Sequence, residues 1–282
     1  MIEDIREAVI RALAEDIGDG DVTADLIRAT ETADARVITR QDMTMAGKPW
    51  FDQVMRQVDA NIETIWHYDD GDDVMAGETL CEMHGSARSI LTAERTALNF
   101  LQLLSATATL TADYVRAIEN TGCQILDTRK TIPGLRTAQK YAVTCGGGVN
   151  HRIGLFDAIL IKENHIASAR GITHAVAAAR RTHAGMPIEV EAESLDELRQ
   201  ALAARADQVL LDNFSLDELR DAVAINQDQG NPPAKLEASG NVTLSTIRQI
   251  AETGVDFISV GALTKNIKAV DLSMLFGTDD AP

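Results

Sequence analysis

The first hundred residues combine an amphipathic helical pattern with short runs that are typical of strands. Apolar residues recur every three or four positions over 2–13, as they do on one face of a helix. A long helical pattern covers 93–117, and Thr92 is predicted to be its N-cap. This α+β region therefore leads into a helix that we expect to connect two domains. The predicted strands are 35–39, 62–68 and 79–83.

From residue 124 onward, short apolar runs alternate with amphipathic helical patterns. Two of the helices begin with a capping box, formed by Ser194 with Glu197 and by Ser215 with Glu218. Strands buried on both faces and separated by helices indicate a parallel sheet, and about six such units in roughly 150 residues favour an incomplete (β/α) barrel. An open doubly wound sheet is the alternative, but no G-x-G-x-x-G follows the first strand. The predicted strands are 124–127, 158–161, 188–190, 208–211, 235–238 and 257–260.

The composition is that of a globular protein without a nucleic-acid or membrane partner. Among 282 residues, 26 are basic and 43 acidic, which gives a net charge of −17. Nucleic acid and anionic membranes both require a basic surface, so we expect neither as a partner. The longest uncharged stretch, 96–112, is too polar to span a bilayer. Three cysteines without C-x-x-C spacing favour a reducing compartment, so we expect a cytoplasmic protein.

Polar or small residues follow each predicted strand of the second region. In a parallel barrel the carboxyl ends of the strands meet at one face, where functional groups collect. We therefore expect these residues to form one site. They are Asp127-Thr128-Arg129-Lys130, Lys162, Glu191, Asp212, Ser239-Gly240 and Gly261-Ala262.

The charged members of this set have two kinds of chemistry. Glu191 and Asp212 could bind Mg²⁺ or stabilise a cationic transition state. Alternatively, they are salt-bridge partners that hold the neighbouring cations in place. The donors suited to carboxylates and phosphates are Arg129, Lys130, His151, Arg152 and Lys162.

Small residues after the last two strands suggest a place for phosphate. Ser239-Gly240 precedes a helix that starts near Thr243, and Gly261-Ala262 follows the last strand, so backbone N–H groups can approach an anion there. The local charge agrees with an anionic ligand. Seven Lys or Arg and two acidic residues lie within 129–170, so the acidic total does not argue against anionic substrates.

Several long motifs resemble those of the quinolinate phosphoribosyltransferase family, also called the carboxylating nicotinate-nucleotide pyrophosphorylases. The resemblance runs almost from end to end, with the motifs in the family's order. They include L-T-A-E-R-T-A-L-N at 91–99, D-T-R-K-T-I-P-G-L-R at 127–136, N-H-R-I-G-L at 150–155 and E-A-S-G-N at 237–241.

The resemblance implies a two-domain fold and a pentosyltransferase reaction. It implies an N-terminal α/β-sandwich domain over 1–108, with the tail 270–282 packed back on it, and an incomplete α/β barrel over 109–269. The reaction joins quinolinate to phosphoribosyl pyrophosphate with loss of CO₂ and pyrophosphate, and gives nicotinate mononucleotide for NAD synthesis. Mg²⁺ accompanies the pyrophosphate substrate, and no organic cofactor is implied. The family's homodimer, or a larger assembly, would donate Arg95 across subunits.

The resemblance also implies roles for the strand-end residues. Lys130, Lys162, Glu191 and Asp212 would be catalytic, and the two acids would hold the metal and contact substrate. The implied contacts of quinolinate and pyrophosphate are Thr128, Arg129, Lys130, His151, Arg152 and Lys162. The implied phosphate loops are Ser239, Gly240 and Asn241, with Val260, Gly261 and Ala262.

The sequence also leaves two other functions open. A pyrophosphorylase-like paralogue of the kind associated with molybdenum transport would use another substrate, but the intact T-R-K-T-I-P-G-L-R and N-H-R-I-G-L runs argue against it. A non-catalytic anion sensor would bind phosphoribosyl pyrophosphate without turning it over. That function is disfavoured because Glu191 and Asp212 would repel the anion.

Overall fold

The structure is a computed structural model, and it describes residues 2–229 and 233–277. The chain forms two compact units. The first contains residues up to 112, together with 131–147 and the chain from 262 onward, and the second contains 113–130 and 148–261. Residues 278–282, part of the expected C-terminal tail, lie outside the described residues. Among the described residues, no helix is long and apolar enough to cross a membrane.

The first unit is built on a four-stranded antiparallel sheet. Its strands are β1 (Thr32–Thr39), β3 (Glu63–Trp66), β5 (Thr79–Ser86) and β12 (Leu272–Phe276), in the order β12-β1-β5-β3. Alternation along β1 buries Ala35 and Val37, which join a core that contains Trp50 and Phe51. The predicted strands at 35–39, 62–68 and 79–83 are all present. The other elements of this unit are α1 (Ile2–Ile17), β2 (Met43–Thr44), α2 (Lys48–Val58), β4 (Asp73–Val74), α4 (Arg136–Cys145) and α10 (Ala262–Lys265).

Residues 131–147 belong to the first unit, although we expected a continuous second domain over 109–269. The hydroxyl of Tyr141 on α4 donates to Asp70 Oδ2 at 2.6 Å, and its ring lies 5.3 Å from that of Trp50. Packing explains the glycine at position 146, directly after α4, since a Cβ there would clash with the backbone of Ala108. Such long-range packing leaves no periodic signal in the sequence, so the pattern of strands and helices did not reveal it.

The long helix α3 (Ala87–Ala117) begins six residues before the predicted start at 93. Thr92 therefore lies inside the helix, and its prediction as the N-cap is wrong. Its hydroxyl donates to Asp21 Oδ2 at 2.7 Å instead of to a backbone group of the helix. The prediction was wrong because a threonine that bonds a distant residue has the same local sequence as a threonine that caps a helix.

The second unit is the expected barrel-like parallel sheet. The strand order is β6-β11-β10-β9-β8-β7, so the first strand neighbours the last and the rest follow in sequence. This order closes a barrel on one side, whereas a doubly wound sheet would place its first strand in the middle. The fold class is confirmed. The strands are β6 (Gln124–Leu126), β7 (Ile159–Ile161), β8 (Ile188–Ala192), β9 (Gln208–Asp212), β10 (Lys235–Ser239) and β11 (Phe257–Ser259).

Helices connect these strands. The predicted capping box of Ser215 with Glu218 is present, whereas at Ser194 only the serine half forms, because the Glu197 carboxylate accepts from the Glu193 N–H instead. Ser215 Oγ accepts from the Glu218 backbone N–H, and Glu218 Oε2 accepts from that of Ser215 at 2.8 Å. Ser194 likewise accepts from the Glu197 N–H at 3.3 Å. The connecting helices are α5 (Glu163–Ala169), α6 (Ile172–Thr182), α7 (Leu195–Ala203), α8 (Leu216–Gln229) and α9 (Ile247–Ala251).

Candidate active site

The carboxyl ends of the six parallel strands surround a cavity of about 290 Å³ in the second unit. Each strand contributes the residue at or just beyond its end, because parallel strands bring these ends to one face. Ten of the sequence-predicted strand-end and loop residues share its wall. The polar lining residues are Asp127, Thr128, Arg129, Lys130, His151, Arg152, Lys162, Glu191, Asp212, Glu237, Ser239 and Ser259.

The buried carboxylate of Asp127 anchors the loop that carries two of the lining residues. Asp127 is 0% exposed, and its Oδ1 accepts from the backbone N–H of His151 at 2.9 Å. Val149 pairs with Leu126 as a further parallel bridge along β6. Together these bonds extend the sheet by one short segment and hold His151 and Arg152 beside the cavity.

Lys162 and Glu191 form an ion pair across adjacent strands. Lys162 follows β7 and Glu191 lies in β8, and the lysine Nζ donates to the glutamate Oε2. The carboxylate is 8% exposed, whereas 45% of the lysine side chain is exposed. The lysine side chain is therefore partly in contact with solvent while its ammonium group neutralises a buried acid.

Asp212, at the end of β9, is a further acid of the cavity. Its Oδ2 accepts from the side chain of Asn213 at 3.0 Å, and the Asn213 backbone N–H donates to Ser239 at 2.9 Å. Asn213 has a φ of 59°, so a left-handed residue turns the chain directly after the acid. This turn fixes the direction in which the Asp212 carboxylate leaves the strand.

The arginine and lysine side chains give the cavity a positive wall. Arg152 donates to the Ala158 carbonyl at 3.2 Å. Burial lowers the pKa of Arg152, and the nearby Arg129 guanidinium lowers it further. Two guanidinium groups close enough to repel each other indicate a site prepared for anions, since a bound carboxylate or phosphate relieves that repulsion.

Glycines at two strand ends allow close approach of the backbone. Gly240 has a φ of +109°, which L side chains rarely adopt, and an added Cβ would meet the side chain of Asn213. A Cβ at Gly261 would lie 3.1 Å from Lys130 Cδ. Gly240 therefore requires glycine for its backbone conformation, whereas a side chain at position 261 would require Lys130 to shift.

A second layer of polar side chains was missed by the sequence analysis. Glu189 and Glu237 lie two residues before Glu191 and Ser239, and Gln208 begins β9. Burial raises the pKa of Glu189, but the hydrogen bond from His151 outweighs this effect, so the pKa lies below the ordinary value of a glutamate. The pKa of Glu237 is raised well above that value, first by burial and then by the charge of Glu189. Alternation was the available signal, because residue i−2 in a strand faces the same side as residue i.

Some expected site residues lie elsewhere in the chain. Arg95 is on α3 in the first unit, with 57% of its side chain exposed. Ala262 begins α10, which also belongs to the first unit, whereas Val260 is buried and donates to the Leu126 carbonyl at 2.9 Å. Asn241 is exposed with a φ of 49° and follows Gly240.

The only group of three or more potential metal ligands among the described residues is His151, Glu189 and Glu237. Their ligating atoms lie within 4.8 Å of one another. Gln208 donates to both glutamates, at 2.9 and 2.6 Å, and so already satisfies part of the negative charge. The two predicted metal ligands, Glu191 and Asp212, lie on neighbouring strands instead.

A parallel barrel whose strand ends combine cations, two carboxylates and glycine turns defines an enzyme that acts on small anionic substrates. Family models described as quinolinate phosphoribosyl transferase match residues 21–105 with the N-terminal domain and 107–275 with the C-terminal domain. The chain belongs to the quinolinate phosphoribosyltransferase family, and the resemblance seen in its motifs is confirmed.

Individual proteins are similar over nearly the whole chain. A probable carboxylating nicotinate-nucleotide pyrophosphorylase of Bacillus subtilis is 41% identical over 92% of this chain and 89% of its own. A chloroplastic carboxylating nicotinate-nucleotide pyrophosphorylase of rice is 40% identical over 98% of this chain and 78% of its own. The solved nicotinate-nucleotide pyrophosphorylase of Francisella tularensis superposes with a TM-score of 0.95 at 51% identity, covering 98% of this chain and 97% of that one.

Proposed function

We propose that the strand-end cavity carries out the family's reaction, the transfer of phosphoribosyl from phosphoribosyl pyrophosphate to quinolinate with loss of CO₂ and pyrophosphate. The product is nicotinate mononucleotide, a precursor of NAD. The observation that carries this proposal is the meeting of four cations with the carboxylates of Glu191 and Asp212 in one cavity. Those cations are Arg129, Lys130, Arg152 and Lys162.

The cations match the charges of both substrates. Quinolinate carries two carboxylates, and an arginine can bind each through two parallel hydrogen bonds. Arg129 and Arg152 are the two guanidinium groups that line the cavity, with Thr128 and His151 beside them. Lys130 and Lys162 supply further donors for pyrophosphate and for the ring-bound carboxylate that leaves as CO₂. Gly240 and Gly261 allow close approach of the backbone to the 5′-phosphate, together with Ser239 and Asn241.

The two acids act on the transition state of the transfer. When pyrophosphate departs, positive charge develops on the ribose, and carboxylates held nearby lower the energy of that charge. Glu191 is buried and Asp212 is fixed by Asn213, so neither must reorganise during the reaction. The adjacent Lys162 forms an ion pair with Glu191 and so helps to hold its carboxylate in place.

Mg²⁺ fits the chemistry of Glu191 and Asp212 better than that of the cluster beneath them. Mg²⁺ prefers oxygen ligands and commonly takes one or two carboxylates together with substrate phosphates. The lower cluster offers an imidazole and a glutamate whose pKa is raised by burial and by its acidic neighbour, and these suit Mg²⁺ poorly. When bound with the substrate, Mg²⁺ would neutralise charge on the pyrophosphate leaving group.

We also propose a homodimer in which Arg95 completes the partner's site. Thr92, one turn before Arg95, bonds Asp21, and the neighbouring Val22 and Leu26 are each 85% exposed. Large exposed apolar side chains beside an exposed arginine are the composition of a subunit interface. Sedimentation would show a dimer, or a larger assembly built from it, and a monomer at micromolar concentration would contradict this proposal.

The cytoplasm is the proposed location. Cys81, Cys123 and Cys145 are all free thiols, and burial raises the pKa of Cys123 to about 12. Unpaired cysteines are what a reducing compartment favours. Fractionation with an antibody against the native protein would test this location, and recovery outside the cytoplasm would contradict it.

Product formation tests the proposed reaction directly. Purified protein is mixed with quinolinate, phosphoribosyl pyrophosphate and Mg²⁺, and nicotinate mononucleotide is measured by chromatography. Asp212→Asn should abolish most of the activity, whereas Asp217→Asn on α8, whose side chain is 92% exposed, should retain it. No product at any enzyme concentration would refute the proposal, and product from nicotinate but not quinolinate would indicate a different acceptor. Chelation should stop turnover and added Mg²⁺ should restore it.

A further inference from the structure

A connected set of polar side chains lies inside the barrel below the strand ends, and we call it the inner cluster. One oxygen of Glu189 is 2.8 Å from His151 Nε2, and the other accepts from Gln208 Nε2 at 2.9 Å. The same amide nitrogen donates to Glu237 Oε2 at 2.6 Å, and Glu237 also hydrogen-bonds Ser259. The inner cluster thus runs from His151 through Glu189 and Gln208 to Glu237 and Ser259.

Burial of its polar groups makes the inner cluster unfavourable for the stability of the fold. Glu189 is 6% exposed and Glu237 is 1% exposed, and their carboxyl groups share one amide donor. Burial and the charge of Glu189 raise the pKa of Glu237 well above its ordinary value, so the two buried carboxyl groups disfavour each other's charge. Apolar residues of similar volume often stabilise an interior as well as such groups do or better. The inner cluster therefore requires an explanation beyond packing.

His151 is one of three members of the inner cluster, with Glu237 and Ser259, that also line the substrate cavity. Its imidazole lines that cavity, and 13% of its side chain is exposed. Its backbone N–H is held by Asp127 at 2.9 Å, while its ring Nε2 is held by Glu189. The residue is thus restrained at the main chain and at the tip of the ring.

We propose that Glu189 is a positioning residue that acts through His151: its carboxylate, bridged by Gln208 to Glu237, holds the imidazole in one orientation against the substrate cavity. This inference rests on the proposed function of the cavity. Because Glu189 accepts at Nε2, it also sets which ring nitrogen carries a proton there. Glu189 is buried and precedes Glu191 by two positions in β8, so the two side chains face the same interior.

Glu189→Gln removes this support with little change in volume. The glutamine has one acceptor oxygen in place of two, yet His151 Nε2–H and the Gln208 amide both require an acceptor at this position. One of the two hydrogen bonds is therefore lost. We expect kcat/KM for quinolinate to fall about tenfold, since residues in one hydrogen-bond network couple by that order.

A double-mutant cycle distinguishes positioning from a general structural role. Glu189→Gln is measured in the wild-type background and in His151→Asn, with kcat/KM from turnover and quinolinate Kd from calorimetry. If Glu189 acts through His151, its substitution costs less than about twofold once His151 is replaced. Glu193→Gln, an exposed carboxylate just beyond the same strand, is the control and should match wild type.

Two results would overturn the inference. Equal losses in both backgrounds would show that Glu189 acts independently of His151, and an unchanged kcat/KM in the single variant would show that the contact has no role. Binding and turnover are measured separately. A wild-type protein that binds quinolinate without forming product would count against the proposed reaction. In that case the double-mutant cycle measured on quinolinate Kd would still decide the role of Glu189. A wild-type protein that neither binds nor converts quinolinate would overturn both.

A second variant covers the case in which Glu189→Gln does not fold. Glu189→Asp keeps the charge but withdraws the carboxylate from Nε2 by one methylene. We expect a smaller loss of kcat/KM than with glutamine, and again almost none in the His151→Asn background. Thermal unfolding of each variant shows that the comparison concerns folded proteins, and an additive loss would again overturn the inference.

Discussion

Gly240→Ala tests whether the turn after β10 holds the 5′-phosphate. Gly240 has a φ of +109°, and a Cβ built there lies 2.8 Å from Asn213 Cγ and 3.1 Å from Asn213 Cα. The substitution therefore strains the backbone and also displaces Asn213. That asparagine donates to Asp212 at 3.0 Å, so the disturbance reaches a proposed catalytic acid.

The expected magnitude has two parts. Holding alanine in this region of φ costs about 1–3 kcal/mol. Displacing a packed neighbour adds about 1–3 kcal/mol, as for overpacked interiors. A combined loss of about 2–6 kcal/mol corresponds to a fall in Tm of about 4–24 °C for a protein of this size. If a backbone N–H to the phosphate is also lost, KM for phosphoribosyl pyrophosphate should rise about tenfold or more.

Gly185→Ala is the matched control for the backbone conformation. Gly185 has a φ of +84°, and no atom lies within 4 Å of an added Cβ. It should lower Tm through backbone strain of about 1–2 kcal/mol but leave KM unchanged. Steady-state kinetics with varied phosphoribosyl pyrophosphate and calorimetric unfolding measure both quantities. An unchanged KM in Gly240→Ala, or an equal rise in the control, would refute the proposed phosphate loop.

Three further substitutions test other parts of the molecule. Arg152→Ala should weaken quinolinate binding by about 2–5 kcal/mol, as expected for a truncated charge pair in a dehydrated site, and calorimetry would measure the change. Arg95→Ala mixed with Arg129→Ala should recover activity if each site combines residues of two subunits, because one site of the heterodimer is then intact. Phe51→Ala should lower the free energy of unfolding by about 3–5 kcal/mol, measured by chemical denaturation, since the ring is fully buried in the core of the first unit.

Each of these expectations has a result that contradicts it. An unchanged Kd and rate in Arg152→Ala would remove that residue from the quinolinate site. Mixtures of the two inactive arginine variants that stay inactive after subunit exchange would indicate self-contained sites. A loss of stability below about 1 kcal/mol in Phe51→Ala would show that the core relaxes around the missing ring.

The strand ends of the barrel could be predicted from the sequence because their signal is local. A buried run followed by a charged residue, as at Ile161 and Lys162, identifies both the strand and the position of its functional group. Parallel pairing then brings such positions together without further information. Glu189 and Glu237 of the inner cluster also had a local signal, because each lies two residues before a strand-end residue and so faces the same side of the strand. They were missed because only the ends of the strands were considered as positions for functional groups.

Features that depend on distant partners could not be predicted in this way. Thr92 looks like an N-cap, yet its hydroxyl bonds Asp21, which is 71 residues away. The helix α4 follows the first barrel strand in sequence but packs in the first unit, where Tyr141 bonds Asp70. The periodicity of a segment describes which face is apolar and does not specify which surface that face will cover.

The sequence by itself determined the alternation of strands and helices, the family, and the types of charge at the candidate site, because these depend on residue order and periodicity. Only the tertiary structure decided which charges neutralise one another. Lys162 pairs with Glu191, His151 with Glu189, and Glu237 accepts from the Gln208 amide. Such pairing depends on distances of a few ångströms between side chains far apart in the chain, and on burial that strengthens each interaction.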